Sequence, residues 1–258
     1  MFKFPQSNQK PLLLFKGGSH CYGLNTSTSD IDNRGVFVHT DIPHLVGLSK
    51  EEIIVCQNGE DNVFTEFRHA LRLLRAANTQ VIEMLFIKPE ACDFVSDFWK
   101  RVQSWRHALI GDEKLFNAIR GYMQSEQRLA NGERTGKLGG KRKSAIDKYG
   151  FSPKNFVQLF RLAFCGETYF SQKDFPVNLK LDAPNSFYKF LMRIKTSPEE
   201  FTKEGLNEMV IEASERLVQA FENAKKEGSL REFKEDVANN LCAEVYKPLV
   251  ADLTFYQL

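Results

Sequence analysis

With 258 residues, 42% hydrophobic and 26% charged, the chain has the composition of a soluble globular protein, long enough for one large domain or two small ones. A formal net charge of +2 supplies no global field that demands a nucleic-acid partner, so any basic footprint has to be local. The opening MFKFPQSNQK lacks the apolar stretch of a secretory signal, no apolar run approaches the roughly 18 residues of a membrane helix, and the cysteines at 21, 56, 92, 165 and 242 form no CxxC clip; the expectation is a cytoplasmic protein with reduced thiols and no membrane partner.

In chain order, the apolar run at 12–15 ends at Gly17-Gly18-Ser19 and predicts a buried strand entering a tight turn. Small polar residues fill 20–29. A second strand is expected over 31–38, interrupted at Asn33-Arg34-Gly35, and a third over 52–56, closed by the turn signal Asn58-Gly59. From Val63 the period changes: Phe64, Phe67, Leu71 and Leu74 fall on one helical face, with Arg68, Arg72 and Arg75 off it. That helix ends at Asn78-Thr79, and an apolar stretch over 81–87 stops at Pro89. Three to four strands are thus expected in the first 90 residues.

Beyond Pro89 the pattern is helical. One helix runs from Asp112-Glu113 to about Asn131. Residues 131–150, with six Lys or Arg against two acids, have no clear period and predict a loop. A compact helix over 155–165 is closed by Gly166, and an amphipathic stretch covers 187–195. Pro198-Glu199-Glu200 leads into a longer helix over 203–227, and a last helix begins near Ser229-Leu230 with Pro248 near its end. The fold class is α+β: a small mixed β-sheet core flanked by helices over 1–100, then a helical module over 101–258.

Three features coincide in the first module. A strand ends in Gly18-Ser19, the pair Asp30-Ile31-Asp32 follows at the start of the next, and an acidic turn holds Glu60 and Asp61. In a strand, residues i and i+2 share a face, so the pair presents two carboxylates together. Like charges that close are unfavourable unless a cation sits between them, and hard oxygens suit Mg2+ completed by substrate phosphates. A third carboxylate from a neighbouring strand would allow two metals to clamp the entering and leaving oxygens of an in-line displacement. Gly18 lets backbone approach a phosphate, and Ser19 adds a hydroxyl and an N–H. Alone, an Asp-x-Asp pair more often caps a turn or sits in solvent; the joint order of strand, Gly-Ser, spacer and Asp-x-Asp raises the chemical reading above that one.

The stretch GGSHCYGLNTSTSDIDNRGVFV resembles the active-site motif of the DNA polymerase beta nucleotidyltransferase superfamily. Within it, the sequence is similar to the nucleotidyltransferases encoded in phages and bacteria, including the RNA-ligase-associated group. The resemblance is strongest over 17–38, extends to ALRLLRAAN and VIEMLF (with Asn78-Thr79 where the family has Asn-Pro), and is weaker in the helical half. It implies transfer of a nucleoside monophosphate from a nucleoside triphosphate such as ATP, with Mg2+ or alternatively Mn2+, to a hydroxyl such as an RNA or tRNA 3′ end. It carries over Gly18 and Ser19 as phosphate contacts and Asp30 and Asp32 as catalytic metal ligands. Asp61 matches the family's acidic position before the helix and is the first choice for the third ligand. Glu66 is the runner-up, its bland alternative being a first-turn acid favoured by the helix dipole.

Lys154 and Arg161, at i and i+7 of one helix, resemble family positions that would bind the triphosphate from a helical domain completing the cleft; the alternative is a solvated helix face. Lys195 is similar but weaker. The basic stretch 134–148 either tracks an RNA backbone or is simply solvated. Tyr22 either shapes the phosphate turn or anchors the core, His20 is read first as structural with a phosphate donor as the alternative, Arg34 as a phosphate contact or a carboxylate partner, and Glu83 as a buried acid paired to an Arg of the preceding helix that supports the site. The competing functional class is a nucleotide- or RNA-binding module that keeps the fold without turnover, its signature being loss of the third metal ligand.

Overall fold

The computed structural model describes residues 8–41, 53–56, 62–133 and 140–251. Strand β1 (Gln9–Lys16) runs into a single helical turn, α1 (Gly18–Cys21), and the chain returns as β2 (Asn33–His39). Then come β3 (Ile53–Cys56), β4 (Asn62–Glu66), α2 (Phe67–Arg75), α3 (Thr79–Met84), β5 (Cys92–Val95) and α4 (Asp97–Ser104). The rest is helical: α5 (Asp112–Ala130), α6 (Gly140–Tyr149), α7 (Pro153–Gln172), α8 (Leu179–Asp182), α9 (Asn185–Thr196), α10 (Lys203–Lys226) and α11 (Glu235–Ala251). No helix among the described residues is long and apolar enough to cross a membrane.

The α+β class holds: a mixed sheet in the order β3-β4-β2-β1-β5 is followed by helices. β1 is antiparallel to β2 and β5, β3 is antiparallel to β4, and β2 and β4 are parallel. The central pair is buried on both faces, which is why the run 12–15 is apolar without alternation. Phe37, Phe64 and Phe67 fill the core between sheet and α2.

The chain forms two compact units, residues 1–111 with 231–258, and residues 112–230. The sequence pattern instead divides it at residue 100 and assigns all that follows to the helical module. Gly111 and Phe233 adjoin, and the Lys234 N–H bonds the Ala108 carbonyl at 2.8 Å, so α11 belongs with the sheet.

Several elements differ from expectation for local reasons. The helix expected from Val63 begins only at Phe67, because NVFTE is a strand whose Phe64 happens to fall in helical spacing with Phe67 and Leu71. Asn78 both closes α2, its N–H reaching the Leu73 carbonyl at 2.9 Å, and caps α3 by accepting from Gln80 and Val81, so the apolar stretch 81–87 starts as a helix. Part of the expected loop, 140–149, is helical, and residues 134–139 lie outside the described set. Gly166 does not end α7. It sits mid-helix where a Cβ would meet Leu217 at 2.8 Å and Ile119 at 2.9 Å, which lets α5 and α10 approach closely. The last helix starts at Glu235, later than expected.

Candidate active site

The turn after β1 is built around two glycines. The Gly17 N–H donates to the Asp32 carbonyl at 2.7 Å, joining the turn to the lead-in of β2. Gly18 has φ +58°, a left-handed conformation that glycine adopts without penalty, and opens α1. A Cβ there would lie 2.9 Å from Asp32 Oδ2. The space of the missing Gly18 side chain is therefore filled by the Asp32 carboxylate, which brings the Gly-Ser turn and Asp32 together.

Asp30 and Asp32 stand just ahead of β2 and not within it, since the strand begins at Asn33. The same-face rule for strands thus does not set their geometry. What fixes Asp32 is hydrogen bonding of its backbone. Asp30 is exposed and Asp32 half-buried, and the Asp32 carboxylate makes no hydrogen bond or ion pair with any described residue. Two hard oxygen donors, one of them half-buried and without a counter-charge among those residues, fit a divalent cation. No group of three or more acids, histidines or cysteines able to hold a metal occurs among the described residues.

Of the two candidates for the third ligand, Asp61 lies outside the described residues. Glu66 has a different job. It is 2% exposed, caps α2 by accepting from the His69 N–H at 3.2 Å, pairs with Arg68, and accepts the Tyr246 hydroxyl of α11. Burial, and then the Glu66 charge, push the Tyr246 phenol up, which keeps it a donor. Register adds distance: Glu66 is paired with Phe37, four residues beyond Asn33, or roughly 13 Å along the strand. Glu66 and Asp32 cannot share one cation.

Around the turn, the Tyr22 hydroxyl donates to Glu83 Oε2 at 2.8 Å. Glu83 is 5% exposed on α3, and this partner is a tyrosine of the Gly-Ser turn. The bond ties the Gly-Ser turn to α3. Tyr22→Phe removes one donor from a buried carboxylate, and we expect it to lower the unfolding free energy by about 1–3 kcal/mol in urea denaturation. An unchanged midpoint would show that Glu83 is satisfied without it. The Arg34 stem packs over Gly17, where a Cβ would meet its Cγ at 2.5 Å, and its Nη1 donates to the Asn33 carbonyl at 3.2 Å. The His20 Nε2 is buried without a hydrogen-bond partner among the described residues. Sequence reasoning did not find Asn33 and Asn62, which bond each other at the start of β2 and β4; two asparagines far apart in sequence carry no signal.

Lys154 and Arg161 both belong to the helical unit. Lys154 is exposed in the first turn of α7. Arg161 is 1% exposed, because the middle of α7 is enclosed by neighbouring helices, and its Nε donates to Gln158 at 3.1 Å. Burial, and then the nearby Lys154 charge, hold the Lys195 ammonium below its usual range.

A mixed sheet that holds Gly-Ser at the end of one strand against Asp-x-Asp at the head of the next is the arrangement of a DNA polymerase beta-type nucleotidyltransferase. The family model for RlaP, the RNA repair pathway DNA polymerase beta family, matches residues 5–241, and the chain belongs to that family. No curated protein and no solved structure matches the chain.

Proposed function

We propose that the protein transfers a nucleoside monophosphate from a nucleoside triphosphate to a hydroxyl at an RNA end, releasing pyrophosphate. The observation that carries this reading is the close approach of Gly18 and the Asp32 carboxylate, where a Cβ would lie 2.9 Å from Oδ2, so that a backbone turn without a side chain adjoins a hard anionic ligand. The family's link to RNA repair supports RNA, a tRNA included, as acceptor.

Asp30 and Asp32 would hold Mg2+, or alternatively Mn2+, and a bound cation would supply charge neutralisation on the phosphates. The remaining chemistry belongs to the chain. The Ser19 hydroxyl and the backbone at Gly18 orient the triphosphate. The acceptor oxygen bonds to the α-phosphorus, the bond from the α-phosphorus to the bridging oxygen breaks, and pyrophosphate leaves with the electron pair. A carboxylate beside the acceptor takes its proton. We assign that carboxylate to Asp61 on sequence position: it stands two residues before Val63, as Asp32 stands two before Arg34, the cross-strand partner of Val63. Lys154, exposed on its helix, is the proposed triphosphate contact of the helical unit, with Lys195 beside it; Arg161 reads better as an internal brace of that unit.

Incubation with each α-32P nucleoside triphosphate, RNA and Mg2+ or Mn2+ tests the reaction. Labelled RNA is the expected result, and the labelled species reports base and acceptor. A nucleotide-dependent thermal shift without transfer under any condition would replace this reading with that of a binding module.

A further inference from the structure

The backbone that carries Asp32 is bonded from both neighbouring strands. The peptide unit joining Asp32 to Asn33 has one carbonyl and one N–H. The carbonyl accepts from Gly17 at 2.7 Å, on the β1 side. The N–H donates at 3.0 Å to Asn62 Oδ1, on the β4 side. Both ends of one planar unit are thus tied, and the plane that sets the Asp32 side-chain direction is fixed.

Asn62 is matched to this task. The ladder between β2 and β4 starts at Arg34 opposite Val63, so the Asn33 N–H lies one step ahead of it. The Asn62 side chain extends the pairing by that step. Its oxygen accepts a second bond, from Asn33 Nδ2 at 2.7 Å. Because a backbone N–H can only donate, the Asn62 atom that meets it is the oxygen, which settles the orientation of both amides. Asn62 is 3% exposed, so these bonds are made away from water, where an orphaned donor is expensive.

We propose that Asn62, acting through Asn33, is a positioning residue that holds the Asp32 carboxylate in place for a divalent cation; this rests on the proposed nucleotidyl-transfer reading. Partners that orient a metal ligand without touching the metal typically change affinity by about 10–100-fold when removed.

The test is Mn2+ binding by the full-length protein, followed by electron paramagnetic resonance. Asn62→Ala loses both bonds and is expected to weaken Mn2+ binding by about tenfold or more. Asn62→Asp keeps an accepting oxygen and is expected to bind at least as tightly as wild type. Asn33→Ala keeps the main-chain bond and loses only the side-chain one, so its loss is smaller than that of Asn62→Ala; if Asn62→Ala fails to fold by circular dichroism, Asn33→Ala carries the test. A merely structural role would lower the melting temperature of the variants while leaving the Mn2+ affinity of the folded protein at the wild-type value, and that outcome overturns the proposal. Wild-type protein that binds no Mn2+ and transfers no label overturns the parent reading, and this one with it.

Discussion

Asn at both positions 30 and 32 is expected to abolish nucleotidyl transfer, by about a thousandfold or more, while the fold survives. The size follows from what is lost. Charge stabilisation of a transferring phosphoryl group is worth several kcal/mol, and each ~1.4 kcal/mol is a factor of ten in rate. The fold survives because Asp30 is exposed, where a polar or ionic contact contributes little to stability, and the Asp32 carboxylate bonds no described residue. The backbone bond from Gly17 to the Asp32 carbonyl is untouched by the substitution. Removing two like charges also relieves repulsion, so the melting temperature should stay level or rise. Label transfer from α-32P nucleotide and thermal unfolding read the two halves separately. A double variant that still transfers label would remove the acidic pair from the chemistry.

Gly35→Ala is expected to damage the fold itself. Gly35 lies in β2 opposite Leu14, and a Cβ there would come within 2.2 Å of the Leu13 carbonyl oxygen and 3.0 Å of Leu14 Cδ2. The first neighbour is backbone, so a rotamer change cannot relieve the clash. β1 and β2 have to separate, and both are buried at the centre of the sheet. Overpacking of this kind is destabilising by about 2–3 kcal/mol. Urea denaturation should show a lower midpoint with an unchanged slope. Equal midpoints for wild type and variant would mean that the strands are less tightly apposed than described. The same shift would also move Asp32, three residues upstream, so transfer should fall in whatever fraction stays folded.

The approach of Gly18 to Asp32 was legible in the sequence because its parts are local. Gly18, Ser19, Asp30 and Asp32 fall within a short segment, and the connection between two strands brings Gly17 and Gly18 against Asp32 without help from the rest of the chain. The long helices were legible for the same reason, since α5 and α10 follow their own periodicity. What escaped depends on partners distant in sequence. β4 is only five residues long and exists as a strand because β2 and β3 flank it. Gly166 looked like a helix end, and only the side chains of Ile119 and Leu217 explain a glycine in mid-helix. Glu66 looked like a possible ligand until its cap bond and the Tyr246 hydroxyl accounted for it. Lys154 and Arg161, which the helical period alone treats as equivalent, differ in exposure: the first is exposed and the second buried.

The bond from Tyr246 to Glu66 spans 180 positions of chain. Translation delivers the sheet and α2 before α11, with the whole unit of 112–230 made in between. A nascent chain on the ribosome therefore carries an acid-bearing sheet whose α2 cap still lacks its tyrosine. Only once it has left the exit tunnel can α11 dock there, so a helix made after the whole of 112–230 completes the unit whose sheet emerged before it.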